Sequence, residues 1–190
     1  MLLRVFLIIL PLYAFWIYFD GRYFTSQSNI LVMVWCLMAI IFEKNLQIKQ
    51  KLGGRLRGAV TLYITVTFLV YGIFLSSSGA EWITSIILHY IVPIGFIIDW
   101  FLTETPTVEY QWRFLWMWII YPFIYLGYVL INGFYTGFYP YFFLDLSQLG
   151  IFSFLIWVSA LIAVFLVVGS LLIGINRFLY QRISIKEKNT

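Results

Sequence analysis

EKNLQIKQKLGGRLR, residues 43–57, is a polar interval in an otherwise apolar chain. It carries five cations, Lys44, Lys49, Lys51, Arg55 and Arg57, and one anion, Glu43. Both flanks are apolar: VMVWCLMAIIF (32–42) precedes it and GAVTLYITVTFLVYGIFL (58–75) follows it. A helix needs roughly 20 apolar residues to cross a bilayer, so the interval reads as a loop joining two membrane helices. Basic loops beside such helices are retained on the cytoplasmic side. That role accounts for the five cations without a nucleic acid, and none is expected as a partner.

Composition points the same way. The 190 residues are 63% hydrophobic and 11% charged, where a soluble domain carries about 25% charged residues. Mean hydropathy is +0.94. Eight Trp, 14 Tyr and 19 Phe supply side chains of the kind that anchor a protein at membrane interfaces. The lone cysteine, Cys36, forms no intrachain disulfide and reads as a small packing residue. One histidine and one cysteine give neither a transition-metal cluster nor paired haem ligands, so no metal or cofactor is expected.

Working outward from the loop, six apolar runs are predicted as transmembrane helices: about Leu2–Phe19, Gln27–Phe42, Gly58–Leu75, Trp82–Leu102, Phe114–Ile131 and Gln148–Ile175. The first lacks a small-residue cleavage pattern and reads as a retained helix rather than a signal peptide. The expected fold is therefore all-α, one six-helix transmembrane bundle over residues 1–190. With residues 43–57 inside, six crossings put both termini in the cytoplasm. Arg4, Arg113, Arg177, Arg182, Lys186 and Lys188 then fall on the same side, and only Arg22 lies opposite. The expected location is the cell (plasma or inner) membrane. Nothing in the pattern specifies an oligomeric state.

A few polar residues interrupt the apolar runs, and their depths can be compared. His89, in SIILHYIVPIGFIIDW (85–100), lies seven residues into the fourth run, about 10 Å below the outer surface. In GRYFTSQSN (21–29), Thr25, Ser28 and Asn29 share one helical face at the outer start of the second run. Thr25 and His89 thus enter from the same side, at depths about one turn apart. A threonine hydroxyl becomes a nucleophile when a base takes its proton, and a neutral imidazole is such a base. Free backbone N–H groups near Ser26 and Gln27, at the helix start, are candidates to stabilise a developing oxyanion. This constellation suits acyl transfer from an ester to water.

Plainer readings exist for each residue. Thr25 suits an N-cap, Ser28 and Asn29 suit hydrogen bonds between helices, and His89 suits packing. Asp99 lies ten residues beyond His89, about 15 Å along the helix. It reads as an interfacial anchor or a partner for Arg113 or a loop lysine. Asp20, Glu81, Asp145 or a tyrosine are the candidates to orient His89. NGFYTGFYPYFFLDLS (132–147) holds seven aromatics between Phe134 and Phe143, and Gly133, Gly137 and Pro140 are expected to interrupt any helix there. It reads as an aromatic belt at the headgroups or as a rim through which a lipid chain enters.

Three segments carry a resemblance to a known family. In RYFTSQSNILVMV, LHYIVPIGFIIDW and GYVLINGFYTGFYPYFFLD the chain resembles the androgen-induced gene one family, and is most similar to its bacterial six-helix members. The resemblance implies a threonine hydrolase of fatty-acid esters of hydroxy fatty acids or similar lipid esters. Thr25 matches the family's catalytic threonine, His89 its catalytic histidine, Pro93 the proline four residues on, and Asp99 an acidic residue near that helix's end. Gly137, Tyr139 and Pro140 match a Gly-x-Tyr-Pro pattern. Ser28, Asn29, Pro93 and Tyr139 are the expected supporting or substrate-binding residues. The alternative expectation is a lipid-binding or lipid-transporting membrane protein that uses the same polar pocket without catalysis.

Overall fold

The computed structural model describes residues 1–76, 82–104 and 108–188, and these form helices and turns with no strand. The elements are α1 (Leu2–Ile17), α2 (Phe24–Ile41), α3 (Leu46–Lys51), α4 (Arg57–Val70), α5 (Trp82–Ile86), α6 (Val92–Thr103), α7 (Arg113–Thr136) and α8 (Leu146–Lys188). Wide π turns at Leu52–Leu56, Tyr71–Leu75 and Ile87–Ile91 lie against α4 and α6. Five stretches are long and apolar enough to cross a membrane: Phe24–Ile41, Leu52–Leu75, Ile83–Thr103, Arg113–Thr136 and Leu146–Ile183. α1 has the expected apolar character but only 16 residues. That is about 24 Å of helix against roughly 30 Å of hydrocarbon.

α4 is the axis of the bundle. It packs on α2, α6 and α8. One face gives Leu62, Tyr63 and Val66 to a core shared with Trp118, Tyr125 and Phe165. The other gives Val60 and Ile64 to a core with Leu7, Val32 and Phe96. Lipid is as apolar as these side chains, so tight packing and interhelical hydrogen bonds hold such a bundle rather than burial alone.

The helix limits differ from expectation where tertiary contacts override local signals. α2 starts at Phe24, three residues before Gln27, because phenols from elsewhere in the chain receive its first amides. α7 continues through Gly133 to Thr136. The Tyr139 ring lies where a Cβ on Gly133 would be, 2.2 Å from that position, so this glycine serves close packing rather than a break. The helix ends at Gly137, whose φ of +71° is the left-handed conformation that glycine adopts without strain.

The basic interval is not simply a loop. α3 occupies part of it, the backbone breaks at Gly53–Gly54, and the Gly54 N–H donates to the Glu104 carboxylate. Burial raises the Glu104 pKa, and the Gly54 N–H works against it. Arg57, expected among the solvated loop cations, is 0% exposed. It lies between the rings of Trp35 and Phe96, 3.7 and 4.0 Å from their centroids. Its Nη2 donates to Asp99 at 2.5 Å, and Arg4 Nε donates to both Asp99 oxygens at 3.2 Å. Asp99 is therefore neither an interfacial anchor nor a partner of Arg113 or a loop lysine. α6 turns it inward, onto cations from α1 and α4. Arg177 pairs with Glu109 at this same end of the bundle. The side chains of Lys49, Lys186 and Lys188 lie outside the described residues.

Candidate active site

The opposite end of the bundle holds Thr25. The Phe24 N–H donates to Tyr125 Oη at 3.1 Å and the Thr25 N–H donates to Tyr141 Oη at 3.3 Å. Tyr125 in turn donates to the Arg22 carbonyl at 2.9 Å. The start of α2 is thus capped by two phenols, and Thr25 is not its N-cap. Its side chain is left for another partner. The Gln27 N–H is also taken, by the Tyr23 carbonyl at 3.2 Å, so it is not the free oxyanion donor expected there.

Thr25 Oγ1 lies 3.2 Å from His89 Nε2. His89 Nδ1 lies 3.0 Å from the Ser85 carbonyl oxygen. A carbonyl only accepts, so Nδ1 carries the proton of the neutral ring, and Nε2 presents a lone pair to the threonine hydroxyl. The orienting group is a backbone carbonyl rather than a carboxylate. Asp20 is occupied by Arg22 at 2.7 Å, Asp145 caps Ser147 and Gln148, and Glu81 lies outside the described residues. The imidazole is also stacked on Tyr71, ring centroids 3.6 Å apart and 15° from parallel. Local sequence explains why the ring can be set this way. His89 lies in the wide turn Ile87–Ile91, where the Val92 N–H bonds five residues back, to Ile87. π bulges often accompany functional positions. Pro93 follows in the first turn of α6 and has no N–H to offer the His89 carbonyl.

Asn29 ties the pair together. Its Nδ2 donates to the Thr25 carbonyl at 2.8 Å and to the Leu88 carbonyl at 3.1 Å, joining α2 to the residue before His89. Ser28 Oγ donates to the Thr25 carbonyl at 3.0 Å and lies 2.9 Å from Thr67 Oγ1 on α4. Ser28 and Asn29, two of the four expected supporting residues, therefore flank the site. Tyr139 does not. It is occupied against Gly133 and is not among the residues that line the cavity.

Thr25 opens onto a cavity of about 90 Å³, inside an empty volume of about 780 Å³ that includes its open mouth. Thr25, Thr67, Tyr125 and Tyr141 make the polar end. Val70, Ile119, Phe143, Leu161 and Phe165 are among the apolar side chains that form the rest. Its lining includes exposed Phe123 on α7 and half-buried Val158 and Ile162 on α8. Among the described residues, no carboxylate, lysine, arginine or histidine lines it. The nearest ionic pair, Asp20–Arg22, is self-contained: the Arg22 hydrogen bond holds the Asp20 carboxyl below its usual range, and the guanidinium sits 3.8 Å over Phe138.

Tyr71, Tyr125, Tyr141 and Thr67 belong to the site but were not singled out from sequence. Tyr141 carried one signal, since it directly follows the Tyr139–Pro140 pair. The others are undistinguished among 14 tyrosines and the polar positions of an apolar helix. No family model, no curated protein and no solved structure matches this chain.

Proposed function

We propose that this protein is a multi-pass membrane hydrolase of lipid esters, with Thr25 as nucleophile and His89 as general base. The fatty-acid esters of hydroxy fatty acids implied by the resemblance to the androgen-induced gene one family are its proposed substrates. The observation that carries the reading is the 3.2 Å approach of Thr25 Oγ1 to a His89 Nε2 whose lone pair is fixed by the Nδ1–Ser85 hydrogen bond. A positioned base within hydrogen-bond reach contributes about 10²–10⁴-fold to a rate.

The acyl chain enters laterally between α7 and α8 and lies along the apolar wall of the cavity, with its ester beside Thr25. Thr25 Oγ1 attacks the carbonyl carbon while its proton passes to Nε2. The tetrahedral adduct collapses, the alkoxy C–O bond breaks, and the proton passes from Nε2 to the leaving alcohol. Water then attacks the acyl-threonine and gives a proton to Nε2. Thr25 recovers that proton as the free fatty acid leaves. Net, one ester and one water give one acid and one alcohol. A cavity without fixed charge favours an uncharged ester and an aliphatic chain.

In this reading six helices cross the cell membrane, with α1 spanning by local thinning of the bilayer around it. Arg4, Arg57 and Arg177 support a cytoplasmic assignment for the Asp99 end by the positive-inside rule. The termini are then cytoplasmic and Thr25 lies in the outer leaflet. The exposed rings of Phe134, Tyr135 and Phe142 serve as the aromatic belt, and buried Tyr141 and Phe143 serve as the rim of the lipid site.

Purified protein in lipid vesicles with a fatty-acid ester of a hydroxy fatty acid tests the reading. Wild type is expected to release fatty acid, and Thr25→Ala and His89→Ala to lose about 10²–10⁴-fold in kcat. Wild-type turnover in both variants overturns the mechanism. Bound lipid without any hydrolysis by wild type selects the non-catalytic lipid binder instead.

A further inference from the structure

An ester hydrolase must stabilise the charge that builds on the carbonyl oxygen. The Gln27 amide expected to do so is spent on the Tyr23 carbonyl, and the Phe24 and Thr25 amides are spent on phenols. Besides Thr25 and Thr67, three tyrosines line the cavity: Tyr71, whose ring is stacked on His89, Tyr125 and Tyr141. A phenol has one proton to give and two lone pairs. Tyr125 has given its proton to the Arg22 carbonyl. Tyr141 accepts the Thr25 amide, and its oxygen neighbours the Thr25 hydroxyl and Tyr125 Oη. Both neighbours are engaged elsewhere, Thr25 with His89 and Tyr125 with Arg22.

We infer that Tyr141 Oη donates the hydrogen bond that stabilises the oxyanion formed when Thr25 attacks its ester. This rests on the proposed hydrolysis and adds to it a catalytic residue. The Thr25 amide that anchors Tyr141 belongs to the nucleophile itself, so the phenol and the attacking oxygen keep a fixed relation. A neutral phenol that donates to the ester carbonyl gains as that oxygen becomes an oxyanion, since hydrogen bonds to ionised acceptors are about twice as strong. The gain appears only as charge develops, the condition for raising kcat rather than affinity. Burial also raises the pKa of Tyr141, which keeps the proton on the phenol. The ring is held against Phe143, stacked at 5.1 Å and 6° from parallel, and edge-on to Tyr23 at 5.6 Å. Removing the hydroxyl leaves these ring contacts in place, while the Thr25 N–H loses its acceptor. No proton leaves Tyr141 at any step.

The test compares Tyr141→Phe with wild type on a matched pair of substrates, an oxoester and its thionoester. Sulfur is a weak hydrogen-bond acceptor, so the thionoester gains little from the phenol. The expected result is a fall in kcat of about 10²–10³ on the oxoester, a much smaller fall on the thionoester, and KM within a few-fold. Tyr139→Phe removes a phenol outside the cavity and is expected to leave both rates unchanged. Equal slowing of both substrates in Tyr141→Phe means a structural role, and wild-type kcat means no role; either overturns the inference. If Tyr141→Phe does not fold, fluorotyrosine at 141 keeps the hydroxyl and strengthens it as a donor. It must then change the oxo-to-thiono rate ratio, and an unchanged ratio overturns the inference. Loss of activity in Thr25→Ala and His89→Ala with wild-type behaviour in Tyr141→Phe removes Tyr141 alone. A wild-type protein with no esterase activity removes the hydrolase reading along with it.

Discussion

The two ends of this bundle each hold a polar cluster, one drawn from α1, α4 and α6, the other from α2, α4 and the α5–α6 segment. They solve the burial of polar groups in opposite ways. At one end Arg57, Asp99 and Arg4 form a charged, closed knot, with the guanidinium of Arg57 sandwiched between Trp35 and Phe96. At the other end Thr25 and His89 form a single hydrogen bond beside an apolar cavity that no charged side chain lines among the described residues. A closed ionic knot has no route for a substrate and no exchangeable partner. A hydroxyl facing a bare ring nitrogen, next to empty space, has both. The contrast suits the first cluster to architecture and the second to the proposed chemistry.

Stability is where the contrast breaks first if it is wrong. Asp99→Ala leaves Arg57 buried without its anion, and the expected loss is about 3–5 kcal/mol. Replacing Arg57 and Asp99 together by leucine should be milder than Asp99→Ala alone, because no uncompensated charge remains. Unfolding by denaturant or heat in detergent measures both. By contrast, Thr25→Ala should leave the unfolding transition within about 1 kcal/mol of wild type, the scale of one neutral hydrogen bond. A knot that tolerates Asp99→Ala while Thr25→Ala unfolds the protein would reverse the assignment.

Asn29 sharpens the comparison at a smaller scale. It is 0% exposed and its two donated bonds join the Thr25 and Leu88 carbonyls. Asn29→Leu removes the bridge without touching either reacting group. The expected result is a folded protein with kcat lowered about 10²-fold, since an ångström of misplacement has that effect, and with the pH dependence of the residual activity shifted. Unchanged kcat would mean that packing alone positions the pair.

The helical pattern was legible because membrane helices announce themselves by apolar length, and the basic interval at 43–57 divided them. Thr25 and His89 were legible as a pair because depth along a helix can be counted at 1.5 Å per residue. Depth does not report which faces meet. Asp99 was misread for that reason: its partner Arg57 lies on α4, 42 positions away, in a segment that looks like a solvated loop. Arg57 is buried because the chain breaks at Gly53–Gly54 and restarts as α4 inside the bundle. Thr25 as a helix cap was the natural local reading. The true caps, Tyr125 and Tyr141, lie 101 and 116 positions away from the amides they accept. Tyr139 and Tyr141 carry the same side chain two residues apart, and only the turn after Gly137 decides which one reaches the cavity.

The central claim is that the Thr25 hydroxyl is a nucleophile activated by His89, and covalent labelling tests it most directly. Wild-type protein is incubated with a long-chain fluorophosphonate, digested, and the adduct is located by mass spectrometry. The account predicts a phosphonyl adduct on Thr25, slowed strongly in His89→Ala and absent in Thr25→Ala. An adduct on any other residue, or labelling of Thr25→Ala at the wild-type rate, would contradict it.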